Sequence, residues 1–91
     1  MKDNNFMINK CKELVKDYYN RNLVTQENLE KEQIKDEEIY VVWFCKTLQN
    51  FKALVSTDKA DTRYYEITYN GNAKEYYLDC YTKQFNCAIK A

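Results

Sequence analysis

Apolar side chains in the first quarter of the chain recur at the spacing of one helical face. Lysines and glutamates lie between them, which places charge on the opposite face. Asparagines mark both ends, with an N-cap expected within residues 3–5 and a stop at Asn20 or Asn22. The pattern predicts an amphipathic helix that is too short to be stable alone, so its apolar stripe must pack on the rest of the chain. That stripe comprises Met7, Cys11, Leu14, Val15 and Tyr18.

The second half of the chain has the pattern of β-strands. Residues 39–48 are β-branched and aromatic with no polar position before Lys46, which predicts a central strand covered on much of both faces. Residues 51–57 alternate between apolar and polar positions, and two further strands are expected over residues 62–69 and 73–83. We therefore predict an α+β fold, with the N-terminal helix packed on a four-stranded antiparallel β-meander and residues 1–91 forming a single domain.

The last two predicted strands are joined at Asn70-Gly71, a pair typical of tight hairpins. A two-residue turn aligns Glu66 with Glu75, which is a repulsive pair, whereas a four-residue loop separates them. Both alternatives leave the same side chains on each face. The inward face would carry Tyr65, Ile67, Tyr76, Leu78 and Cys80, and the outward face Tyr64, Glu66, Thr68, Glu75, Tyr77, Asp79, Tyr81 and Lys83.

An acidic segment separates the helix from the strands. Within residues 27–38 only Leu29 and Ile34 are apolar, so this stretch has little surface to bury. We predict an exposed connector that contains one short helix, with Thr25 as its N-cap.

Composition narrows the possible functions. The 91 residues hold 14 basic and 14 acidic side chains, so no overall field attracts the chain to nucleic acid or to an anionic membrane. Histidine is absent, and the chain has one glycine and no proline, which removes the usual general base and the material for phosphate-binding loops. No apolar stretch approaches the length of a membrane span, and the N-terminus has no apolar leader. We expect a cytosolic protein that is not an enzyme.

Four cysteines raise the question of a metal site. Their spacings of 34, 35 and 7 residues do not form the close pairs from which structural zinc sites are usually built. We interpret the thiols as reduced core-filling side chains and expect no cofactor, with a structural zinc as the alternative. Without a histidine to activate it, a catalytic thiol is less favoured still. The candidate zinc ligands are Cys11, Cys45, Cys80 and Cys87.

The outward face of the last two strands is the candidate binding surface. Nine tyrosines exceed what a core of this size requires, and tyrosine supplies rigid contact area with a hydroxyl group to pair. Tyrosines beside carboxylates suit an arginine-rich protein surface, while a merely solvated face is the plainer interpretation. Base stacking on the aromatic rings is a third, less favoured possibility, because cations are scarce there. The candidate partner-binding residues are Tyr64, Glu66, Glu75, Tyr77, Asp79 and Tyr81.

Three segments, residues 11–19, 40–54 and 64–71, resemble a family of small phage and prophage proteins of Firmicutes whose function is unknown. The chain departs from that family at the acidic connector and at residues 84–87. The resemblance supplies no catalytic residues, and it implies a phage-encoded protein made in the cytoplasm of a bacterial host. By analogy we expect a non-enzymatic binding protein that inhibits or modulates a host protein, with a type II CRISPR-Cas effector nuclease as the first candidate. The alternative is a phage accessory module that binds single-stranded nucleic acid or a phage replication protein.

Overall fold

A computed structural model of the chain describes residues 4–23, 33–59 and 63–91. One helix precedes a four-stranded antiparallel sheet whose strands follow in chain order, so the predicted α+β meander is confirmed. The short helix and the Thr25 N-cap predicted for the connector lie outside the described residues. The elements are α1 (Asn4–Tyr18) with a π-helical turn (Tyr19–Leu23), a 3-10 turn (Asp36–Glu38), and strands β1 (Ile39–Thr47), β2 (Asn50–Thr57), β3 (Arg63–Asn70) and β4 (Glu75–Thr82).

Helix α1 packs through its predicted stripe onto one face of the sheet, called the inner face. Met7, Cys11 and Val15 are buried, and the ring of Tyr18 meets that of Tyr65 edge-on at 6.1 Å. The α-helix ends at Tyr18, two residues before the predicted stop, and a π-helical turn continues through Asn20 and Asn22 to Leu23. The Asn22 side-chain amide donates to the Tyr18 carbonyl at 3.2 Å. The apolar stripe of α1 and the inner face of the sheet are therefore buried against each other. This burial stabilises a helix that is too short to be stable alone.

The inner face of the sheet has its core on the two central strands. Every second residue of β2 and β3 lies on the inner face, and most of these residues are buried, which confirms the alternation expected from the sequence. Near one end, Phe51 stacks on Tyr69 with 5.1 Å between ring centroids. The buried strand residues of this core are Phe51, Ala53, Val55, Tyr65 and Ile67.

The prediction that β1 is a central strand is wrong. It pairs only with β2, at the edge of the sheet, and Tyr40, Val42 and Trp43 are about half exposed. The pairing register shifts between Val41 and Trp43, so Val42 has no partner in β2, and this bulge breaks the simple alternation. An uninterrupted apolar run is typical of a strand covered on both faces, but the first strand of a meander has one neighbour and lies at the edge of the sheet.

The connector is less exposed than predicted, because Ile34 is buried to 2% exposure. The Asn20 side chain forms two hydrogen bonds with the backbone of Ile34. The Ile34 N–H donates to Asn20 Oδ1 at 2.8 Å, and Asn20 Nδ2 donates to the Ile34 carbonyl at 3.3 Å. One apolar residue and one amide therefore fasten the end of the connector to the end of the helix.

The β3–β4 connection is a four-residue loop, residues 71–74, so the two-residue Asn70-Gly71 turn is wrong and the longer alternative is confirmed. Positive φ occurs at Lys74 and not at Gly71. Asn70 Oδ1 accepts from two backbone N–H groups of the loop, at 3.0 and 3.2 Å, and so supports its shape. Glu75 consequently pairs with Asn70, away from Glu66.

Gly71 is required for a different reason than turn geometry. A Cβ atom at this position would lie 2.2 Å from the carbonyl oxygen of Gln49 in the neighbouring β1–β2 turn. The Gly71 N–H donates to Asn50 Oδ1 at 2.8 Å, and the Gln49 side-chain amide donates to Asn72. The two turns therefore pack side by side, and the only glycine of the chain lies where their backbones approach.

Candidate protein-binding face

The face of the sheet opposite α1, called the outer face, is not covered by any element within the described residues. Strand alternation and the observed register place all six predicted partner-binding residues on it. The predicted division of β3 and β4 into inward and outward side chains is therefore confirmed, although the pairing register was open. Across the four strands, the outer face carries Tyr40, Trp43, Cys45, Lys52, Leu54, Tyr64, Glu66, Thr68, Glu75, Tyr77, Asp79 and Tyr81.

Two tyrosines form a rigid pair at one end of the outer face. Tyr64 and Tyr81 are opposite each other on β3 and β4, and their rings stack with centroids 5.2 Å apart and 20° between planes. Both remain more than a third exposed, as does Tyr77 further along β4. Stacking fixes the two side chains before any partner arrives, so little rotamer entropy remains to be lost on binding.

Carboxylates lie beside these rings. Glu66 and Asp79 are directly opposite on β3 and β4, which is a repulsive arrangement in a sheet. Lys52 Nζ lies 3.5 Å from Glu66 Oε2, and the Tyr81 hydroxyl donates to Glu66 Oε1 at 3.4 Å. Asp79 has no ion pair with any residue in the described parts of the chain. The centre of the outer face therefore presents more negative charge than its neighbouring lysine neutralises.

The phenol groups stay protonated next to this charge. The Tyr77 hydroxyl donates to Glu75 Oε1 at 3.2 Å, and this hydrogen bond raises the pKa of Tyr77. The charge of Glu66 raises the pKa of Tyr81 in the same direction. The outer face thus offers carboxylate acceptors beside neutral aromatic rings, which suits guanidinium groups because they donate to carboxylates and stack on rings.

Sequence reasoning missed the part of the outer face that β1 and β2 contribute. The pairing registers join Trp43, Leu54, Glu66 and Asp79 into one row across the sheet. Trp43, the sole tryptophan, is 51% exposed at the end of that row. The strand order of the predicted meander could have indicated this part of the face. The first strand of a meander lies at an edge of the sheet, and a single helix covers only one face.

A shallow concavity of about 390 Å³ indents the outer face near the two adjoining turns. Trp43 and Lys52 form part of its wall, and Asn50 and Asn72 supply polar groups at its rim. Its size and mixed lining suit a single inserted side chain of a partner.

The cysteines do not converge. Cys11 is fully buried on the side of α1 that packs on the sheet, where burial raises its pKa to about 11, and Cys80 is half-buried on the inner face. The core-filling interpretation is wrong for Cys45, on the outer face of the edge strand, and for Cys87, which follows β4, since both are exposed. Within the described residues, no three His, Cys, Asp or Glu side chains come together as metal ligands would. The structural zinc stays a prediction that metal analysis of the purified protein tests.

Comparison with known proteins gives one match. Residues 8–91 match the model of a family of unknown function, DUF6275. No curated protein and no solved structure matches the chain significantly. In the described parts of the chain, no helix has both the length and the apolar character needed to cross a membrane.

Proposed function

Because this chain belongs to the family of unknown function DUF6275, whose description names no activity, we propose a function from the outer face alone. The protein is a non-enzymatic binding protein that holds a basic, arginine-bearing surface of another protein against this face. One observation carries the proposal. An uncovered sheet face combines a stacked tyrosine pair and an exposed tryptophan with the opposed carboxylates of Glu66 and Asp79.

The chemistry of that surface favours a protein partner. Tyrosine and tryptophan are enriched at the energetic centres of protein interfaces, where they bury large areas at small entropic cost. Carboxylates pair with arginine in two-pronged hydrogen bonds, and Asp79 has no competing cation among the described residues. An arginine that reaches Asp79 also relieves the repulsion between Asp79 and Glu66.

The partner that we propose first is a host protein of a bacterium, with a type II CRISPR-Cas effector nuclease as the leading candidate. The resemblance to phage and prophage proteins supports a phage-encoded chain that acts in the host cytoplasm. Proteins that bind nucleic acid expose lysine- and arginine-rich surfaces, and an acidic aromatic face is complementary to them. Cleavage of target DNA by a purified effector, with and without the wild-type chain, tests this candidate, and unchanged cleavage at a large excess of the chain rejects it.

The rival proposal is a phage accessory module for single-stranded nucleic acid or for a phage replication protein. Exposed aromatic rings favour base stacking, but Lys52 is the one lysine of the outer face in the described strands, and it is paired with Glu66. A gel shift with a single-stranded oligonucleotide distinguishes the two proposals. Binding at low salt that weakens steeply as salt rises supports the rival, and no shift at low salt rejects nucleic-acid binding.

The proposed chemistry is tested directly with a nine-residue arginine peptide, using the fluorescence of Trp43 as the readout. Trp43 lies on the outer face and is the only tryptophan, so a saturable change reports contact there. A nine-residue lysine peptide is the matched probe. It carries the same charge without the planar donors, and we expect it to bind more weakly.

Charge reversal on the face completes the test. Asp79→Lys and Glu75→Lys should each weaken binding of the arginine peptide at least fivefold, because each turns an attraction into a repulsion. Glu37→Lys is the control, since Glu37 is equally acidic and exposed but lies on the 3-10 turn, away from the outer face. Equal weakening by all three variants would show that net charge alone attracts the peptide and would reject the outer face as the site.

A further inference from the structure

The last nine residues of the chain, 83–91, form a tail that leaves the sheet after β4. All of them are exposed and none has regular secondary structure. Phe85 is 79% exposed and Ile89 is 86% exposed. These side chains and Cys87 occupy every second position, which is the pattern of a strand with one apolar side. The tail thus has the sequence of a strand that lacks a neighbour.

The sheet has a free edge of matching length at β1. No strand among the described residues pairs with the outer edge of its nine residues, and Val42 is 56% exposed there. Natural edge strands are commonly protected by charges, prolines or bulges. Strand β1 has the bulge at Val42, but its only charged residue is Lys46. Its free backbone N–H and C=O groups form a template for an added strand.

Residues 83–91 of the same molecule do not reach far enough to fill this edge. The tail starts at β4, and the strand order puts β1 three strand spacings away, or about 14 Å. Crossing that distance uses about four of the nine residues at ~3.3 Å each, so about half of the tail would remain to pair. A tail from another molecule has no such distance to cross.

We propose that the tail of one chain adds as a fifth strand to the free edge of β1 in a second copy of this chain. Charge supports the choice of partner. The tail carries Lys83 and Lys90 and no acidic residue, and residues 36–38, immediately before β1, are all acidic. Asp36 and Glu38 are already paired with Lys16 and Lys59, so Glu37 is the carboxylate that a lysine of the tail would meet. If two copies exchange tails reciprocally, both edges and both apolar tails are covered in one closed dimer.

The mass of the full chain in solution is the first test. Light scattering across a concentration series should show the mass rise from 11.0 kDa toward twice that value. Phe85→Asp combined with Ile89→Asp, and separately Val42→Lys at the edge, should each weaken the association at least tenfold. Leu48→Asn is the control, because Leu48 is as exposed as Phe85 but lies in the β1–β2 turn.

The second test locates the contact with the two exposed cysteines. The central residue of the tail is Cys87, and the central residue of β1 is Trp43. If the tail and β1 overlap fully, these two residues lie opposite each other in both parallel and antiparallel pairing. Cys45 is then two residues away, or about 7 Å. A short bismaleimide should therefore join Cys87 of one chain to Cys45 of another in the dimer band.

The outcomes are distinct. Dimers with Cys45–Cys87 links support the proposal. Monomers at every concentration, links only between identical cysteines, or equal weakening by Leu48→Asn would each overturn it. Asp79→Lys should leave the association unchanged, so failure of the tail proposal and failure of the outer-face proposal are separable.

Discussion

At the residue scale, Cys11 shows how burial controls chemistry. The thiol lies on α1 and is fully buried against the rest of the core, and desolvation raises its pKa from the ordinary value of 9.0 to about 11. It is therefore protonated at neutral pH in the folded chain.

The raised pKa of Cys11 predicts a loss of stability at alkaline pH. Below pH 9 the thiol is protonated in both states, but between about pH 9 and 11 it ionises only when the chain unfolds, so the free energy of unfolding falls by roughly 2–3 kcal/mol. Urea denaturation from pH 8 to 11 should show a steeper fall for the wild type than for Cys11→Ala, whose packing loss is already present at pH 8. Parallel curves would contradict the account.

Asn20 supports the connector through two hydrogen bonds to the backbone of Ile34. Asn20→Ala leaves both backbone groups without that partner, and we expect the free energy of unfolding to fall by roughly 1–3 kcal/mol. Asn9→Ala is the control, because Asn9 is exposed on the same helix and should change stability by less than about 0.5 kcal/mol. Similar values for the two variants in urea denaturation would show that Asn20 does not hold the connector.

At the scale of elements, the helix and the two central strands could be predicted from the sequence because each has a simple period that burial on one side imposes. Met7, Cys11 and Val15 follow the helical period, and Ala53 and Val55 follow the period of a strand. The position of β1 at the edge of the sheet could not be predicted in this way. Its bulge at Val42 and its exposed Trp43 depend on which neighbours the strand lacks, and a local pattern does not contain that information.

The turns illustrate the same limit. Asn70-Gly71 indicates a turn correctly, but the length of the loop and the reason for the glycine arise from a second turn that packs against it. The β1–β2 turn consists of Leu48 and Gln49, one residue earlier than the polar pair Gln49-Asn50 indicates. Contacts between turns that are distant in the chain decide such details.

The packing of the two turns leaves no room for a side chain at Gly71. In Gly71→Ala the new methyl group meets the Gln49 carbonyl oxygen, and only a backbone shift relieves the clash, so we expect a loss of roughly 1–3 kcal/mol in the free energy of unfolding. Ala73→Ser, in the same loop and exposed, should be nearly neutral. Thermal unfolding of both variants measures the difference, and an unchanged midpoint for Gly71→Ala would contradict the close approach.

At the scale of the whole molecule, the helix and sheet formed by the described residues leave one face of the sheet without a second layer. The alternation of β3 and β4 is enough to place the six predicted partner-binding residues on the outer face, because alternation does not depend on the pairing register. Trp43, Lys52 and the concavity between them depended on the strand order and were missed. The chain has equal numbers of acidic and basic residues, so a charged partner of the outer face would be attracted by local charge and not by a field of the whole molecule.

The most direct test of the outer face is the change in backbone amide NMR resonances when the nine-residue arginine peptide is added to the full chain. We predict saturable shifts concentrated on β3 and β4, around Glu66, Asp79 and Tyr81, together with Trp43 on β1. The same titration of Asp79→Lys should lose most of these shifts. Shifts confined to α1 and the inner strand ends, or shifts that Asp79→Lys leaves intact, would contradict the claim that this face is the binding surface.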